Sequence, residues 1–471
     1  MGKHIGVKTL VPLVLVGILI LVLTLSSGKL ISFSPKAAAV KANLVVDAKK
    51  YIGLMPKNWK DLAQGGEESG VRMFDAVVGD VRLLAPRYIR IDHMYDFYEV
   101  VSRNSAGAVQ FDWSKLDMTV CDIYRTGARP YFSLGYMPPT MAADGSLIGV
   151  PKDWNEWSLL VQKTVERYSG KNTRLCGGIY GDWLKDIYYE VWNEPDLEGF
   201  GKWNIYGGKD YKLLYFYSSQ GATRAAEVNN FFLGGPTTTR PYASWLQGLL
   251  RYVNQQNLRL DFISWHHYSK NPDDFSQDVI NVDSWMRGAE FARFRTLPKV
   301  ISEWGYDSDV NSIADTNVGA AHTIAAIRSL IEQQVEHAFT FEVKDGLNPS
   351  WGVLTHDGVR KPRYYALLLL NKLSKYRLAV NGEGTYVKAI ASTAPNVVSL
   401  VLVNYDTQQA NTENVPFQVT NLDNGSYSVT TTDLLNDAVT EAVTVQNNQL
   451  SRNLIMPPNS VFSVEIERKE Q

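Results

Sequence analysis

Between about residue 51 and residue 341, short runs rich in β-branched and aromatic residues alternate with longer segments that carry helical spacing. This alternation constrains the fold more than any other feature of the chain. A strand–helix–strand order favours a parallel sheet with helices laid against it. The expected strands are 51–54 (YIGL), 88–92 (YIRID), 129–134 (RPYFSL), 187–192 (IYYEVW), 231–234 (FFLG), 262–266 (FISWH), 299–302 (KVIS) and 338–341 (AFTF). Segments such as 154–168, 211–229 and 318–334 are long enough for helices between them. Eight such strands read as a closed (β/α)8 TIM barrel. A doubly wound nucleotide-binding sheet is the competitor, but no glycine-rich fingerprint follows the first strand.

The 471 residues exceed one barrel, and the texture changes after about Lys375. From there β-branched runs such as VVSLVLV (397–403) and VFSVEI (461–466) dominate, separated by the turn signals DNG (423–425) and PPN (457–459). This reads as a C-terminal antiparallel β-sandwich, to which the segment near 43–46 is expected to add a strand. The expected division is therefore 1–42 leader and linker, 43–374 barrel and 375–471 β-sandwich.

Lys3 and Lys8 flank the start of an uncharged apolar stretch, 9–28. At about 1.5 Å per residue it reaches about 30 Å as a helix, the thickness of a bilayer core. It reads as an uncleaved signal anchor or, with Ser26, Ser27 and Gly28 as a cleavage site, as a signal peptide. Both readings place most of the chain outside the cytoplasm, and the anchor makes the membrane a partner. With 47 basic and 49 acidic residues there is no basic footprint for nucleic acid. Cys121 and Cys176 are the only cysteines, without the spacing of a zinc site. Export would open them to a single disulfide.

Barrel enzymes carry their chemistry at the C-terminal ends of the strands. Two strands here end in glutamate: the fourth, in YYEVWNEP, at Glu194, and the seventh, in KVISEWG, at Glu303. Around a closed barrel of eight these ends face one another across the mouth. Facing carboxyl groups are what retaining glycoside hydrolysis requires. One protonates the leaving oxygen and the other attacks the anomeric carbon. The 12 Trp and 25 Tyr suit a carbohydrate substrate, whose flat C–H faces stack on aromatic rings, although a large core accounts for most of them.

The segment Trp192-Asn193-Glu194-Pro195, with Ser302-Glu303-Trp304, resembles the clan A glycoside hydrolases. DFISWHHY (261–268), WGVL (351–354) and KPRYYAL (361–367) narrow the resemblance to glycoside hydrolase family 39. It implies Glu194 as acid/base and Glu303 as nucleophile, with no cofactor. It further implies that Asn193 holds the sugar 2-hydroxyl, that Arg90 keeps the nucleophile ionised, and that His266 and Tyr268 line the sugar subsite. The family includes β-xylosidases, α-L-iduronidases and endo-acting enzymes on bacterial exopolysaccharides. Its xylosidases tend to carry Arg-x-His at strand 2, where this chain has Arg90-Ile91-Asp92 and His93 displaced by one. Neighbours on a strand point to opposite faces, so His93 is not expected to fill that place. This departure, with the N-terminal segment, points away from a simple xylosidase and toward a cell-surface polysaccharide.

Other residues carry weaker expectations. Glu190 shares a face with Glu194 by period two and is expected below it, paired with Arg90. Trp192 is expected on the same face, as packing. Tyr136, after strand 3, is a candidate sugar contact, and Trp351, after strand 8, a candidate stacking platform. Glu342 is placed either to bind a hydroxyl or to pair with Lys344. His322 and His337 read as ordinary surface or core histidines, and no His/Asp/Glu set has metal-ligand spacing.

Overall fold

In the computed structural model, residues 38–65, 68, 71–178, 181–435 and 437–469 are described. The apolar segment 9–28 lies outside them, and among the described residues no helix is long and apolar enough to cross a membrane. Lys41–Gln471 forms one compact unit.

Eight parallel strands close into a barrel: β1 (Asp61–Gln64), β2 (Tyr88–Ile91), β3 (Arg129–Leu134), β4 (Ile187–Val191), β5 (Phe231–Thr238), β6 (Phe262–Tyr268), β7 (Lys299–Gly305) and β8 (His337–Phe341). They pair in sequence order and β8 closes on β1. Helices cover the outside, among them Ser114–Thr126, Trp154–Tyr168, Tyr211–Arg224 and Asn317–Glu332. Their starts are capped as the sequence allows. The Asp153 and Asp210 carboxylates accept from the backbone N–H of Asn155 and Lys212, and Thr316 accepts from Val318.

Strand alternation sorts the side chains into two layers. On β4, Ile187, Tyr189 and Val191 join the helix-facing core, whereas Tyr188 turns into the barrel. Inside, Tyr131, Tyr188, Phe262, Val300 and Phe339 form an apolar plug, with Tyr131 and Tyr188 stacked at 5.5 Å between ring centroids. Such a plug makes the barrel a packed core rather than a pore, so chemistry is confined to the mouth above it.

One strand expectation is corrected. The run 51–54 is not the first barrel strand. It is the end of a long strand, Leu44–Leu54, that pairs antiparallel with Tyr376–Asn381 and parallel with Glu413–Thr420 in the C-terminal sheet. Residues 44–54 therefore belong with that sheet, which the segment 43–46 was expected to join. The barrel begins instead at Asp61-Leu62-Ala63-Gln64, a buried run whose polar ends conceal it. Asp61 is polar for a reason: it accepts from Arg87 Nη2 at 2.6 Å and pairs with His337 Nδ1 at 2.9 Å.

The C-terminal sheet has nine strands, largely antiparallel, and folds as a β-sandwich over its own apolar cluster. It docks on the barrel through apolar and polar contacts: Ile390, Val401, Val403 and Val461 join the buried cluster of the barrel. Arg328, on the helix Asn317–Glu332, pairs with Glu383 at 2.6 Å, and Tyr405 donates to the Lys270 carbonyl at 2.7 Å. Cys121 and Cys176 form a disulfide with their Cα atoms 5.4 Å apart.

Candidate active site

The fourth strand stops at Val191, and the backbone then leaves the period-two pattern. Trp192 has φ +74° and Glu194 φ +43°, the left-handed region that costs a non-glycine residue energy. Trp192 is thereby swung out of the barrel face expected for it. Its ring lies among the helix-facing aromatics, 5.3 Å from Trp203 and 6.2 Å from Trp157, and its Nε1 donates to the Phe200 carbonyl at 2.7 Å. The same turn lifts Glu194 to the mouth, where its N–H donates to the Thr237 carbonyl on β5 at 3.1 Å.

A second irregularity places Glu303. Along β6 and β7, Trp265 pairs with Ile301 and His266 pairs with Glu303, so Ser302 is an extra residue on β7. Such a bulge re-aims the side chain that follows it. Glu303 Oε1 accepts from Arg90 Nη1 at 2.8 Å, and its Oε2 accepts from the Tyr268 hydroxyl at 2.9 Å.

Arg90, wholly buried on β2, organises the floor. Its Nε donates to Glu190 Oε2 at 2.9 Å and its Nη2 to Asn193 Oδ1 at 2.7 Å. Glu190 takes a further bond from the Tyr131 hydroxyl at 3.0 Å, so it supports the site from below as expected. Charge-assisted bonds of this kind contribute about 1.5–3 kcal/mol each, and the rigid guanidinium fork aims three acceptors at once. Asn193 spends one amide hydrogen on the Tyr136 hydroxyl, at 2.9 Å. Its amide carries two hydrogens, so one is left for a ligand.

His266 stands between the two glutamates, its Nδ1 3.0 Å from Glu194 Oε1 and 3.4 Å from Glu303 Oε2. One carboxyl oxygen of each glutamate and a His266 ring nitrogen all lie within 4.8 Å of one another. These three could offer ligand atoms to a cation, but the Arg90 guanidinium already neutralises Glu303 from 2.8 Å and would repel a metal placed there. Burial pushes the Glu303 carboxyl above the usual carboxylate range, while His266 and Arg90 pull it back. Desolvation by itself would lower the His266 pKa, but the Glu303 and Glu194 carboxylates override it and the pKa is raised. Burial likewise raises the Tyr136 and Tyr268 hydroxyls well above their usual value, so both stay protonated donors.

Above these residues opens a cleft of about 680 Å³. Asn193, Glu194, Tyr268, Glu303 and Trp351 line it. Arg90, His266 and Tyr136 sit beneath the surface, in hydrogen-bond contact with the groups that line the cleft. For Tyr136 this changes the expected role, because the loop after β3 tucks its ring against His93 and Trp192, at 4.5 and 5.3 Å. Trp351 lies 6.3 Å from Phe341 between ring centroids, its Nε1 donating to the Asp307 carbonyl at 3.1 Å. Glu342 lines the cleft and accepts from Gln64 Nε2 and from the Gly65 N–H, each at 3.3 Å. His322 and His337 are core residues. His322 hydrogen-bonds the Ser269 carbonyl at 2.7 Å, and burial lowers its pKa to about 3.

The sequence reading missed part of the lining. Asp92 and His93 both reach the cleft, although strand alternation separates their faces. The strand ends at Ile91, and φ +50° at His93 turns its ring onto Phe97 and Tyr136. Phe97, Leu197, Phe200 and Leu347 add apolar surface. Their one signal in the sequence was their position in loops that follow barrel strands.

A family model described as glycosyl hydrolases family 39 matches residues 83–443. A beta-xylosidase of Caldicellulosiruptor saccharolyticus is 24% identical over 378 residues, 72% of this chain and 73% of that protein. A beta-xylosidase of Geobacillus stearothermophilus is 24% identical over 375 residues, 69% and 70% of the two chains. Among solved structures, a monomeric beta-xylosidase from Caulobacter crescentus CB15 superposes with a TM-score of 0.74 at 20% identity, over 91% of this chain and all 100% of that one. The GH39 enzyme from Xanthomonas axonopodis pv. citri gives 0.73 at 18% identity, over 94% and 100%. At these identities the superpositions speak for the fold.

Proposed function

The chain belongs to glycosyl hydrolases family 39 and is a glycosidase, and on that premise we propose that it cleaves O-glycosidic bonds with retention, by double displacement between two glutamates. Glu303 attacks the anomeric carbon and forms a glycosyl-enzyme. Glu194 first protonates the departing oxygen and then activates the water that releases the sugar. The observation that carries this reading is that one carboxyl oxygen of Glu194 and one of Glu303 lie within 4.8 Å of each other. Retaining enzymes hold their carboxyl groups about 5–5.5 Å apart, whereas inverting enzymes leave about 6.5–9.5 Å for a water.

The surrounding groups fit these roles. Arg90 and Tyr268 both donate to Glu303, which favours its ionised form against the cost of burial. The remaining Asn193 hydrogen is offered to a hydroxyl of the sugar, and Trp351 supplies a ring at the cleft wall. No step requires a metal or cofactor.

For the substrate we propose a cell-surface polysaccharide or exopolysaccharide, acted on outside the cytoplasm. The apolar segment 9–28 and the Cys121–Cys176 disulfide support export. The cleft is large enough for more than one sugar ring. A xylosidase-like exo-action is the second reading, favoured by the names of both curated relatives.

The test is the configuration of the first-formed product, followed by proton NMR during hydrolysis of aryl glycosides and polysaccharide fragments. Retention is the expected result. An inverted first product would overturn the double displacement. Release of single sugars only would favour the second reading.

A further inference from the structure

Asp92, just past the end of β2, lines the cleft together with Asn193, Glu303 and Phe341. It is 5% exposed, and its Oδ1 has no hydrogen-bond partner. A buried carboxylate oxygen left unpaired is costly, and on a residue that lines a binding cleft the carboxylate gains its missing partner from a hydroxyl bound there. Gly65 borders it. A Cβ at Gly65 would stand 3.7 Å from Asp92 Oδ1 and only 2.6 Å from Phe341 Cε2. Bare backbone at this position therefore lets the carboxylate and the aromatic ring share one wall. An acceptor beside an aromatic ring matches a sugar, whose hydroxyls donate at the edge while its C–H face lies on the ring.

The sign of the charge points the same way. Glu68, Asp92, Glu194, Glu303, Asp309 and Glu342 line the cleft, and among its described lining residues there is no lysine or arginine. An acidic cleft of low dielectric repels a carboxylate ligand and leaves a hydroxyl donor unopposed.

We propose that Asp92 is a specificity-determining residue of the sugar subsite: it accepts hydrogen bonds from hydroxyls of the ring that lies against Phe341, and the cleft takes an uncharged, hydroxyl-rich sugar in preference to a uronic acid. This rests on the glycosidase reading and deepens it by naming the substrate class. Replacing this carboxylate removes an acceptor that the correct sugar uses and a deoxy analogue does not. The loss is therefore selective, which a merely structural residue would not produce.

The experiment compares the full chain with its Asp92→Asn and Asp92→Ala variants on aryl glycosides of neutral sugars, their monodeoxy analogues and the matching uronides. The parent is expected to show a kcat/KM at least about 100-fold higher on a neutral glycoside than on its uronide. Asp92→Asn is expected to lose about 10- to 100-fold on the intact sugar and far less on the analogue lacking the partner hydroxyl. Equal losses on intact and deoxy sugars at every position, or no loss at all, would overturn the role of Asp92. A uronide cleaved as well as its neutral counterpart would overturn the substrate class. That comparison uses the parent alone and holds however the variants fold. A parent inactive on every glycoside would overturn the glycosidase reading and this inference with it. An active parent with non-selective Asp92 variants overturns this inference only.

Discussion

The Arg90 guanidinium, wholly buried inside a closed barrel, donates at 2.8 Å to Glu303, which lines the cleft. The same guanidinium holds Glu190 and Asn193, so a single buried cation sets the position of one catalytic candidate and of the amide beside the other. The arrangement makes Arg90 both a structural and a chemical residue.

Replacing Arg90 with methionine keeps the volume and removes the charge. Glu190 and Glu303 then lie buried without their cation, a situation that costs about 3–5 kcal/mol. Urea unfolding is expected to show that loss. Arg90→Lys is expected to recover part of the stability but not the activity, because a point charge cannot aim three acceptors. A methionine variant as stable as the parent would contradict this account.

Glu194→Gln removes the proposed proton carrier and leaves Glu303 in place. The expected fall in kcat/KM is about 10²–10⁴-fold on glycosides with poor leaving groups. Aryl glycosides with acidic phenols need less protonation and are expected to lose less at the first step. Hydrolysis at the parental rate with an unchanged pH profile would remove Glu194 from its assigned role.

The pH dependence follows from the raised pKa of Glu303. As the proposed nucleophile Glu303 works ionised, so activity is expected to be lost as pH falls through its pKa, and burial places that limb above the ordinary glutamate value of 4.5. His266 lowers the Glu303 pKa. His266→Asn is therefore expected to move the acid limb of kcat/KM to higher pH. A limb that stays in place or moves down would show that the ring carries no charge there. The same ionisation opposes folding: because its folded pKa is raised, Glu303 contributes stability that is present below 4.5 and lost as pH rises through the raised value.

The Cys121–Cys176 bridge closes a separation of 55 residues and ties the helix Ser114–Thr126 to the loop before β4. Cys121→Ser with Cys176→Ser is expected to cost about 2–4 kcal/mol, read as a lower thermal midpoint, with kcat little changed because neither cysteine lines the cleft. A reductant is expected to shift the parent midpoint toward that of the double variant. A midpoint indifferent to both would argue against a bond that matters to the fold.

Much of the barrel was legible in the chain because its signal is local. The runs at 129–134 and 187–192 are apolar and aromatic over the length of a strand, and their burial on both faces demands no partner knowledge. Asp61–Gln64 escaped notice for the opposite reason. Its polar ends are satisfied by Arg87, by His337 and by Gln64's bond to the Lys344 carbonyl, and none of those three partners is near in sequence. The run 51–54 has strand composition but no barrel burial, and it belongs to a sheet completed by residues after 375.

The candidate site divides in the same way. Strand order by itself put Glu194 and Glu303 on facing strand ends at one mouth of a closed barrel, since eight strands in sequence order leave the fourth and seventh facing across the mouth. Which way each side chain points was decided only by the tertiary structure. Period two fails past the strand ends, where positive φ at His93, Trp192 and Glu194 re-aims the chain, and at the bulge inside β7, where the extra residue Ser302 does so. The hydrogen bonds that pin those turns, such as Arg90 to Glu190 and to Glu303, cross 100 and 213 residues of sequence. A local pattern carries strand identity, but an aim set by partners so far along the chain exists only once the barrel has closed.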